Sequence, residues 1–324
     1  MSELSKAYRH NLRGLAAASI ILALIGASTS NSFYLTTIIF ALIEAISAIG
    51  LTLLFGFAGL ASLGQAAFVG LGAYTAALLV ERCAFPPIAG MALAILVPTA
   101  VGWIIGRPLL RLSGLYLTMA SLALGVVLSL VFSQAISLTG GLDPGFMLNH
   151  AFSLGHWTLD STKDMYWVCS VCVVLTLYLA INLIHSRFGR GLRALQSSEA
   201  AAEGSGIATV RFKTAIFAIA AGMAGLSGAL YAFFMRSFNA TAFDFSLSIE
   251  LLIIVMVGSL RSVWGALFGA AVVTILPAAL ENFSDYKLFI YGVVMVLIMM
   301  FLPDGLFHGA VQGVSRLLAG KDAK

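Results

Sequence analysis

Two acidic residues, Glu44 and Glu250, lie in or at the edge of long apolar stretches of this sequence. Burying a carboxylate in a bilayer is costly unless the group is paired, protonated or hydrated, so such residues commonly move protons or ions or bind a substrate. Both are therefore candidates for a translocation pathway. Each also has a structural interpretation. Glu44 can be protonated and hydrogen-bonded to a neighbouring helix, and Glu250 can be stabilised by a helix N-terminus.

The residues that usually carry catalysis or bind metals are not arranged for either role. None of the five histidines pairs with another histidine or a cysteine at ligand spacing inside an apolar run. The pattern GxxxxGK[ST], which cradles nucleotide phosphates, does not occur. The sequence therefore predicts no catalytic residue, no metal ion and no cofactor bound by this chain. An intramembrane enzyme is the least favoured class.

A polar segment from Ser186 to Lys213 interrupts the apolar sequence and holds seven charged residues, in a chain that is only 10% charged. Arg187, Arg190 and Arg193 recur every three residues, which places them on one face of a helix. The alanines that follow also favour a helix, and two glycines then end it. An ordered charged segment between apolar runs predicts contact with a soluble partner. An ordinary solvated loop is the alternative.

The elements that carry these residues are transmembrane helices. The chain is 60% hydrophobic, with a mean hydropathy of +1.00, whereas soluble domains are about 45–50% apolar. We predict an all-α polytopic membrane protein with about ten transmembrane helices. The approximate bounds of these helices are 12–30, 33–56, 64–81, 87–106, 112–138, 165–185, 214–235, 247–260, 263–281 and 287–303.

The basic residues predict the orientation of the helices. With the N-terminus inside, fourteen of the 18 lysines and arginines fall on the cytoplasmic side, as the positive-inside rule requires. Both termini are therefore predicted to be cytoplasmic, with a cytoplasmic loop at 186–213 and an outer loop at 139–164. The net charge of +4 then reflects orientation rather than affinity for nucleic acid. The N-terminal stretch also resembles a signal peptide, but we expect it to remain as the first helix.

Glycine is abundant, with 32 residues, and several lie four residues from another small residue within an apolar run. Small residues allow helix backbones to approach closely in lipid. We expect a structural role for Gly56, Gly59, Gly64, Gly70, Gly72, Gly140, Gly141, Gly222, Gly225, Gly228, Gly258, Gly265 and Gly269.

The stretch from Gly56 to Tyr74 contains five of these glycines, together with Ser62 and Gln65. Glycine at this density weakens a helix. Two interpretations are open. One is a helix broken within the membrane, which would expose backbone groups near a substrate. The other is a tight turn on the cytoplasmic side.

Four stretches together resemble a known family. They are GFAGLASLGQAAFVGLGAYTAA (56–77); GLYLTMASLALG (114–125) with LTGG (138–141); SRFGRGLRALQSSEAAAEGSGIATVRFKTAIFAIAAGMAGLSGALYA (186–232); and ELLIIVMVGSLRSVWGALFGA (250–270) with FLPDGL (301–306). On these residues the chain resembles the membrane permease subunits of ABC importers for branched-chain amino acids. Among them it resembles the M-type, the larger of the two paired permeases. The third stretch is the most specific.

The resemblance implies a larger assembly in the bacterial cytoplasmic (inner) membrane. A second homologous permease subunit would complete the pore, and two cytoplasmic ABC ATPase subunits would bind ATP and Mg. A periplasmic or extracellular binding protein would deliver the small-molecule substrate. This chain would be a multi-pass subunit in the lipid bilayer, with no nucleic acid partner. It would consist of an N-terminal tail with the first helix (1–32), a permease domain (33–308) and a cytoplasmic C-terminal tail (309–324).

The resemblance also implies that the loop 186–213 contains the coupling helix, which docks on the ATPase. Glu199, Ala200 and Ala201 resemble the short Glu-Ala-Ala signature of bacterial ABC importers. The residues expected to couple are Arg187, Gly189, Arg190, Arg193, Glu199, Ala200, Ala201, Glu203 and Gly206.

The sequence departs from the family pattern near the expected pathway. Leu60 replaces a usual Gln, Gln65 a usual His and Thr52 a frequent Asn, and Glu44 stands where a neutral residue is usual. These departures leave open a permease for urea, short amides or aromatic acids. A secondary transporter coupled to an ion through Glu44 and Glu250 is a further alternative. The pathway candidates are Glu44, Thr52, Ser62, Gln65, Thr118 and Glu250.

Overall fold

The structure is a computed structural model that describes residues 2–301, apart from 30, 113, 144, 151, 155–156, 160 and 282–285, together with residue 305. The predicted C-terminal tail, 309–324, lies outside the described residues, as does most of the last family stretch, 301–306.

Helices dominate the described part of the chain. In chain order they are α1 (Ser2–Ser28), α2 (Ser32–Thr52), α3 (Gln65–Cys83), α4 (Pro87–Leu109), α5 (Leu115–Gln134), α6 (Ile136–Thr139), α7 (Thr162–His185), α8 (Arg187–Ser197), α9 (Glu199–Gly204), α10 (Thr209–Met235), α11 (Phe245–Gly258), α12 (Val263–Ala279) and α13 (Lys287–Phe301). A π-helical turn, Leu53–Phe57, extends α2, and a 3-10 turn, Ala240–Phe243, precedes α11.

The all-α polytopic membrane class is confirmed, but the structure does not reproduce the count of about ten spans. Seven helices within the described ranges are long and apolar enough to cross a membrane, namely α1, α2 with its π turn, α3, α4, α5, α7 and α10. The axes of α11 and α12 are bent by 117°, so that the pair forms one broken span or a re-entrant loop, and α13 is shorter. Hydropathy detects each apolar run but carries no information on its direction or depth.

The loop 139–164 is folded and contains short strands that the class prediction did not include. β1 (Phe146–Met147) pairs antiparallel with β4 (Ser237–Phe238), and β2 (Phe152–Leu154) pairs antiparallel with β3 (Trp157–Leu159). The β1–β4 pair joins this loop to the chain that follows α10.

The predicted structural glycines lie where the chain is crowded or turns sharply. At most of them a Cβ atom would lie within 3.0 Å of a neighbouring atom; these are Gly56, Gly64, Gly70, Gly72, Gly140, Gly222, Gly225, Gly228, Gly258, Gly265 and Gly269. Gly59 and Gly141 instead have left-handed backbone, with φ of +68° and +71°, which favours glycine.

α10 lies at the centre of the bundle and packs closely against α2, α3 and α4. A Cβ on Gly228 would lie 1.9 Å from the carbonyl oxygen of Val69 in α3, and one on Gly225 would lie 2.1 Å from that of Ala94 in α4. In lipid such close packing is a main source of helix association, because no hydrophobic force drives the helices together.

Adding one methyl group at the α3–α10 contact, Gly228→Ala, is expected to lower the stability of the folded protein by about 1–3 kcal/mol, because the two backbones must separate. Gly292→Ala is the matched control, since nothing lies within 4 Å of a Cβ at that position. Thermal unfolding of the detergent-purified proteins should show a lower midpoint for Gly228→Ala alone. Equal midpoints for the two variants would contradict this account of the contact.

Candidate functional site

The segment expected to couple forms two short helices rather than one. α8 and α9 are separated at Ser198, whose backbone is extended. Each helix begins at a serine cap. The Ser186 hydroxyl accepts a hydrogen bond from the Gly189 N–H, and the Ser198 hydroxyl accepts one from the Ala201 N–H, both at 3.3 Å. Serine is a preferred N-cap, so Ser198 was a local signal for the break that the alanine content concealed.

α8 is amphipathic. Arg187, Arg190 and Arg193 are exposed, whereas Leu192 and Leu195 are buried. The predicted basic face is therefore present and available to a partner. In α9, Ala200 and Ala201 are also exposed.

The buried side of α8 lies directly against the membrane helices. Phe188 stacks on Phe212 of α10, with ring centroids 4.9 Å apart. Gly189 lies against the end of α7, where a Cβ would be 2.2 Å from the carbonyl oxygen of Ile184. A larger residue at 189 would therefore push α8 away from the bundle.

Side chains of α8 bind the ends of two membrane helices. The Gln196 Nε2 group donates a hydrogen bond to the carbonyl oxygen of Gly56, at the end of α2, at 2.6 Å. The Arg193 Nη2 group donates to the carbonyl oxygen of Ile184, in α7, at 2.9 Å. Both acceptors lie at helix ends, where carbonyl groups lack intrahelical partners.

α9 is bound to the beginning of α10. The ammonium group of Lys213, which is only 5% exposed, pairs with the Glu199 carboxylate. The Thr209 hydroxyl donates a hydrogen bond to the Glu203 carboxylate at 2.7 Å. Gly206, with φ of +80°, lies in the connection between the two helices. We refer below to the end of the bundle that carries α8 and α9 as the charged end.

A small cavity of about 50 Å³ lies between α2, α3, α10 and α11 and is lined in part by Glu44. The Glu44 carboxylate accepts a hydrogen bond from the Thr274 hydroxyl of α12 at 2.7 Å. Ser47 and Ser227 also line this central cavity. The Ser227 hydroxyl donates to the carbonyl oxygen of Ile43 at 2.8 Å. The Ser47 hydroxyl is fully buried and has no hydrogen-bond partner among the described residues.

The sequence identified Glu44 but missed the hydroxyl groups around it. Serine and threonine are common in membrane helices, so their presence alone is no signal. These hydroxyl groups matter because the fold brings them close to Glu44 from distant parts of the chain. The central cavity thus combines one carboxylate with hydroxyl groups in an otherwise apolar lining, which can hold a small polar or cationic group.

A cluster of aromatic side chains packs beside the central cavity. Phe243 and Tyr231 line the cavity and contact each other, with ring centroids 5.6 Å apart. Phe243 also contacts Tyr74 and Phe238, at 5.9 and 5.7 Å. Phe238 in turn contacts Phe146 of β1 at 6.0 Å. These ring contacts connect the loop 139–164 to the cavity.

The glycine-rich stretch after α2 is a broken segment that runs into the bundle. Residues 59–64 are not helical, and α3 begins at Gln65. Gly59 lies beside Gln196 at the charged end, whereas the Gln65 Nε2 group donates to the carbonyl oxygen of Ala220 at 3.0 Å. Ala220 lies about 16 Å along α10 from Thr209. The structure therefore favours the broken-helix interpretation over the tight turn.

Side chains from other helices bind the backbone of this broken segment and of the first turn of α3. Ser121 and Ser248 accept hydrogen bonds from two of its N–H groups, at 3.0 and 3.1 Å. Thr118 donates to one of its carbonyl oxygens at 3.2 Å. Irregular backbone at membrane depth needs such partners. Thr118 was predicted as a pathway residue, whereas Ser121 and Ser248 were not predicted.

Two further pathway candidates lie away from the cavity lining. Thr52 is fully buried, and its hydroxyl donates to the carbonyl oxygen of Ala48 in its own helix at 2.9 Å. Ser62 is buried within the broken segment. Their placement indicates helix and loop packing rather than contact with the cavity.

Glu250 lies in the second turn of α11. The helix N-terminus therefore does not stabilise its carboxylate, contrary to the structural interpretation offered by the sequence. Asp244 caps this helix instead, and its carboxylate accepts a hydrogen bond from the Ser246 N–H at 2.8 Å. Glu250 is near enough to Glu44 for the two carboxyl groups to interact electrostatically.

Within the described ranges no three His, Cys, Asp or Glu side chains come together as metal ligands.

The chain matches known proteins over most of its length. A family model described as branched-chain amino acid transport system / permease component matches residues 33–299. The high-affinity branched-chain amino acid transport system permease protein LivM of Salmonella typhimurium is 29% identical over an alignment of 287 residues that covers 82% of this chain and 68% of LivM. LivM of Escherichia coli K12 is 28% identical with the same coverage. The permease protein LivH of Escherichia coli K12 is 24% identical over an alignment of 280 residues that covers 81% of this chain and 90% of LivH. No solved structure matches the chain.

Proposed function

The chain belongs to the family of branched-chain amino acid transport system permease components, and we propose that it forms half of the translocation pore of an ATP-driven ABC importer for branched-chain or related amino acids. The family predicted from four sequence stretches is confirmed. The higher identity to LivM than to LivH agrees with the predicted larger type of permease.

In this proposal the chain pairs with a second, homologous permease in the bacterial cytoplasmic membrane. Two ABC ATPase subunits bind the charged end on the cytoplasmic side and hold ATP and Mg. A binding protein delivers the substrate at the opposite side. The chain contributes no catalytic residue and binds no cofactor. The existence of two related permease proteins, LivM and LivH, for branched-chain amino acid transport supports the pairing.

The observation that carries the proposal is the attachment of α8 and α9 to two of the helices that line the central cavity. Gln196 binds the end of α2, which carries Glu44 and Ser47 farther along. Lys213 of α10, the helix that carries Ser227, binds α9. A displacement of α8 and α9 by a partner would therefore act on α2 and α10, two of the helices that form the cavity.

The central cavity as described is too small for an amino acid. At about 50 Å³ the central cavity has room for little more than a water molecule, whose share of liquid volume is about 30 Å³. An amino acid would require α2 and α10 to separate and the rings of Phe243 and Tyr231 to move. We propose that the ATPase cycle drives this separation through α8 and α9.

The lining suits a branched-chain amino acid. Glu44 provides a carboxyl group that can hydrogen-bond an ammonium group, and Phe40, Leu247 and Leu251 provide apolar surface for a branched side chain.

The experiment that tests the proposal is reconstitution of this chain in liposomes with a partner permease, ABC ATPase subunits and a binding protein from the same organism. Leucine uptake should require ATP on the ATPase side and should be unaffected by an ionophore. Uptake by this chain alone, driven by a proton or sodium gradient, would instead overturn the importer proposal.

A further inference from the structure

A pocket of about 560 Å³ lies between α4 and α10 at the charged end, apart from the contacts described above. It is lined by Trp103, Arg107, Arg111, Val210, Arg211 and Thr214. We refer to it as the arginine pocket.

No acidic side chain among the described residues balances the charges in the arginine pocket. Arg107, Arg111 and Arg211 are all exposed, and none of them forms an ion pair with an acidic side chain in the part of the chain that the structure describes. The Arg107 guanidinium lies over the Trp103 ring, 5.4 Å from its centroid, which orients it through a cation–π contact. Three arginines that line one pocket without a carboxylate favour an anionic ligand.

The position of the arginine pocket along α4 and α10 indicates the source of this ligand. Arg107 lies in the last turn of α4 and Arg211 in the first turn of α10, so the pocket is at the rim where both helices leave the membrane. Trp103 lies one turn deeper, and tryptophan is enriched at the membrane interface. Leu96, 60% exposed, shares a helix face with Trp103 and Arg107. This face of α4 can therefore receive an acyl chain below the arginines.

We propose that the arginine pocket binds the phosphate headgroup of an anionic phospholipid whose acyl chain lies along α4. Planar guanidinium groups bind phosphate oxygens in pairs, and basic pockets between membrane helices suit lipid headgroups. Arg211 lies in the first turn of α10, near Lys213, which binds α9. A bound headgroup would therefore also link α4 to the part of α10 that contacts α9. The inference does not depend on which substrate is carried.

The test uses the assembled complex in nanodiscs that contain phosphatidylethanolamine with a minor fraction of phosphatidylglycerol. Native mass spectrometry measures the phosphatidylglycerol retained after exchange. Each of Arg107→Gln, Arg111→Gln and Arg211→Gln is expected to lower retention about 5-fold, and the triple variant on the order of 100-fold. A triple Arg→Lys variant should keep an intermediate retention, since it keeps the charge but not the paired donors.

Arg13→Gln is the matched control. Arg13 is exposed, and it lies near the charged end, because Tyr8 on the same helix donates a hydrogen bond to Asn182 near the end of α7 at 2.9 Å. This variant should retain phosphatidylglycerol as the unmodified complex does.

Three results would overturn the proposal. The first is equal retention of phosphatidylglycerol by the triple Arg→Gln variant and the unmodified complex. The second is displacement of the lipid by millimolar inorganic phosphate, which would identify a site for a free anion. The third is loss of the ATPase subunits from the Arg→Gln variants, which would identify the arginine pocket as a protein docking surface.

Discussion

Reversing both exposed arginines at the start of α8, Arg187→Glu with Arg190→Glu, is expected to abolish ATP-driven uptake, with a loss of at least about 100-fold. Both side chains are exposed and form no ion pair in the described part of the chain, so the folded chain does not depend on their charge. Like charges brought together at an interface cost several kcal/mol, and every 1.4 kcal/mol is about tenfold in affinity. The ATPase subunits should fail to co-purify with this variant.

The control for this reversal is Arg13→Glu, which changes the charge at the same end of the bundle but on α1 instead of α8. It should retain the ATPase and transport normally. If the double reversal keeps both the ATPase and uptake, α8 is an ordinary solvated helix and the proposed coupling role is wrong.

Removing the link between α8 and α2, Gln196→Ala, is expected to uncouple ATP hydrolysis from uptake. The Gln196 amide binds the Gly56 carbonyl oxygen at 2.6 Å, and leaving a buried acceptor unpaired costs about 1–3 kcal/mol. Since the exposed arginine face is intact, the ATPase should remain bound. The number of substrate molecules imported per ATP hydrolysed should fall on the order of 10-fold, at 1.4 kcal/mol per tenfold.

Ser197→Ala is the matched control for the α8–α2 link. Ser197 is the neighbouring residue, and its hydroxyl donates a hydrogen bond only within α8, to the carbonyl oxygen of Arg193 at 2.7 Å. This variant should keep the ratio of uptake to hydrolysis. A Gln196→Ala complex with normal coupling would show that force reaches the cavity through α9 and α10 alone. Loss of the ATPase from Gln196→Ala would place this residue in docking instead.

Local sequence patterns predicted some features of α8 and α9 but not others. The three-residue spacing of the arginines predicted the exposed face of α8, because helical periodicity is a local property. The division at Ser198 was missed, although serine is a common N-cap, because the surrounding alanines favour an uninterrupted helix. The bonds of Gln196 to the end of α2 and of Lys213 in α10 to Glu199 had no local signal in the sequence.

The hydropathy and motifs of the sequence are sufficient to identify a multi-pass membrane protein of a permease family with a charged segment between two spans. Each membrane helix satisfies its own backbone groups, so an apolar run predicts a helix without reference to its neighbours. Contacts in the folded bundle determine the 117° bend between α11 and α12, the broken segment 59–64 and the placement of the hydroxyl groups around Glu44. These features depend on contacts such as Ser227 with Ile43 and Ser121 with residue 63, which join residues 184 and 58 positions apart. No local pattern of hydropathy records such contacts, because close packing between helices is determined by which surfaces meet in the folded bundle.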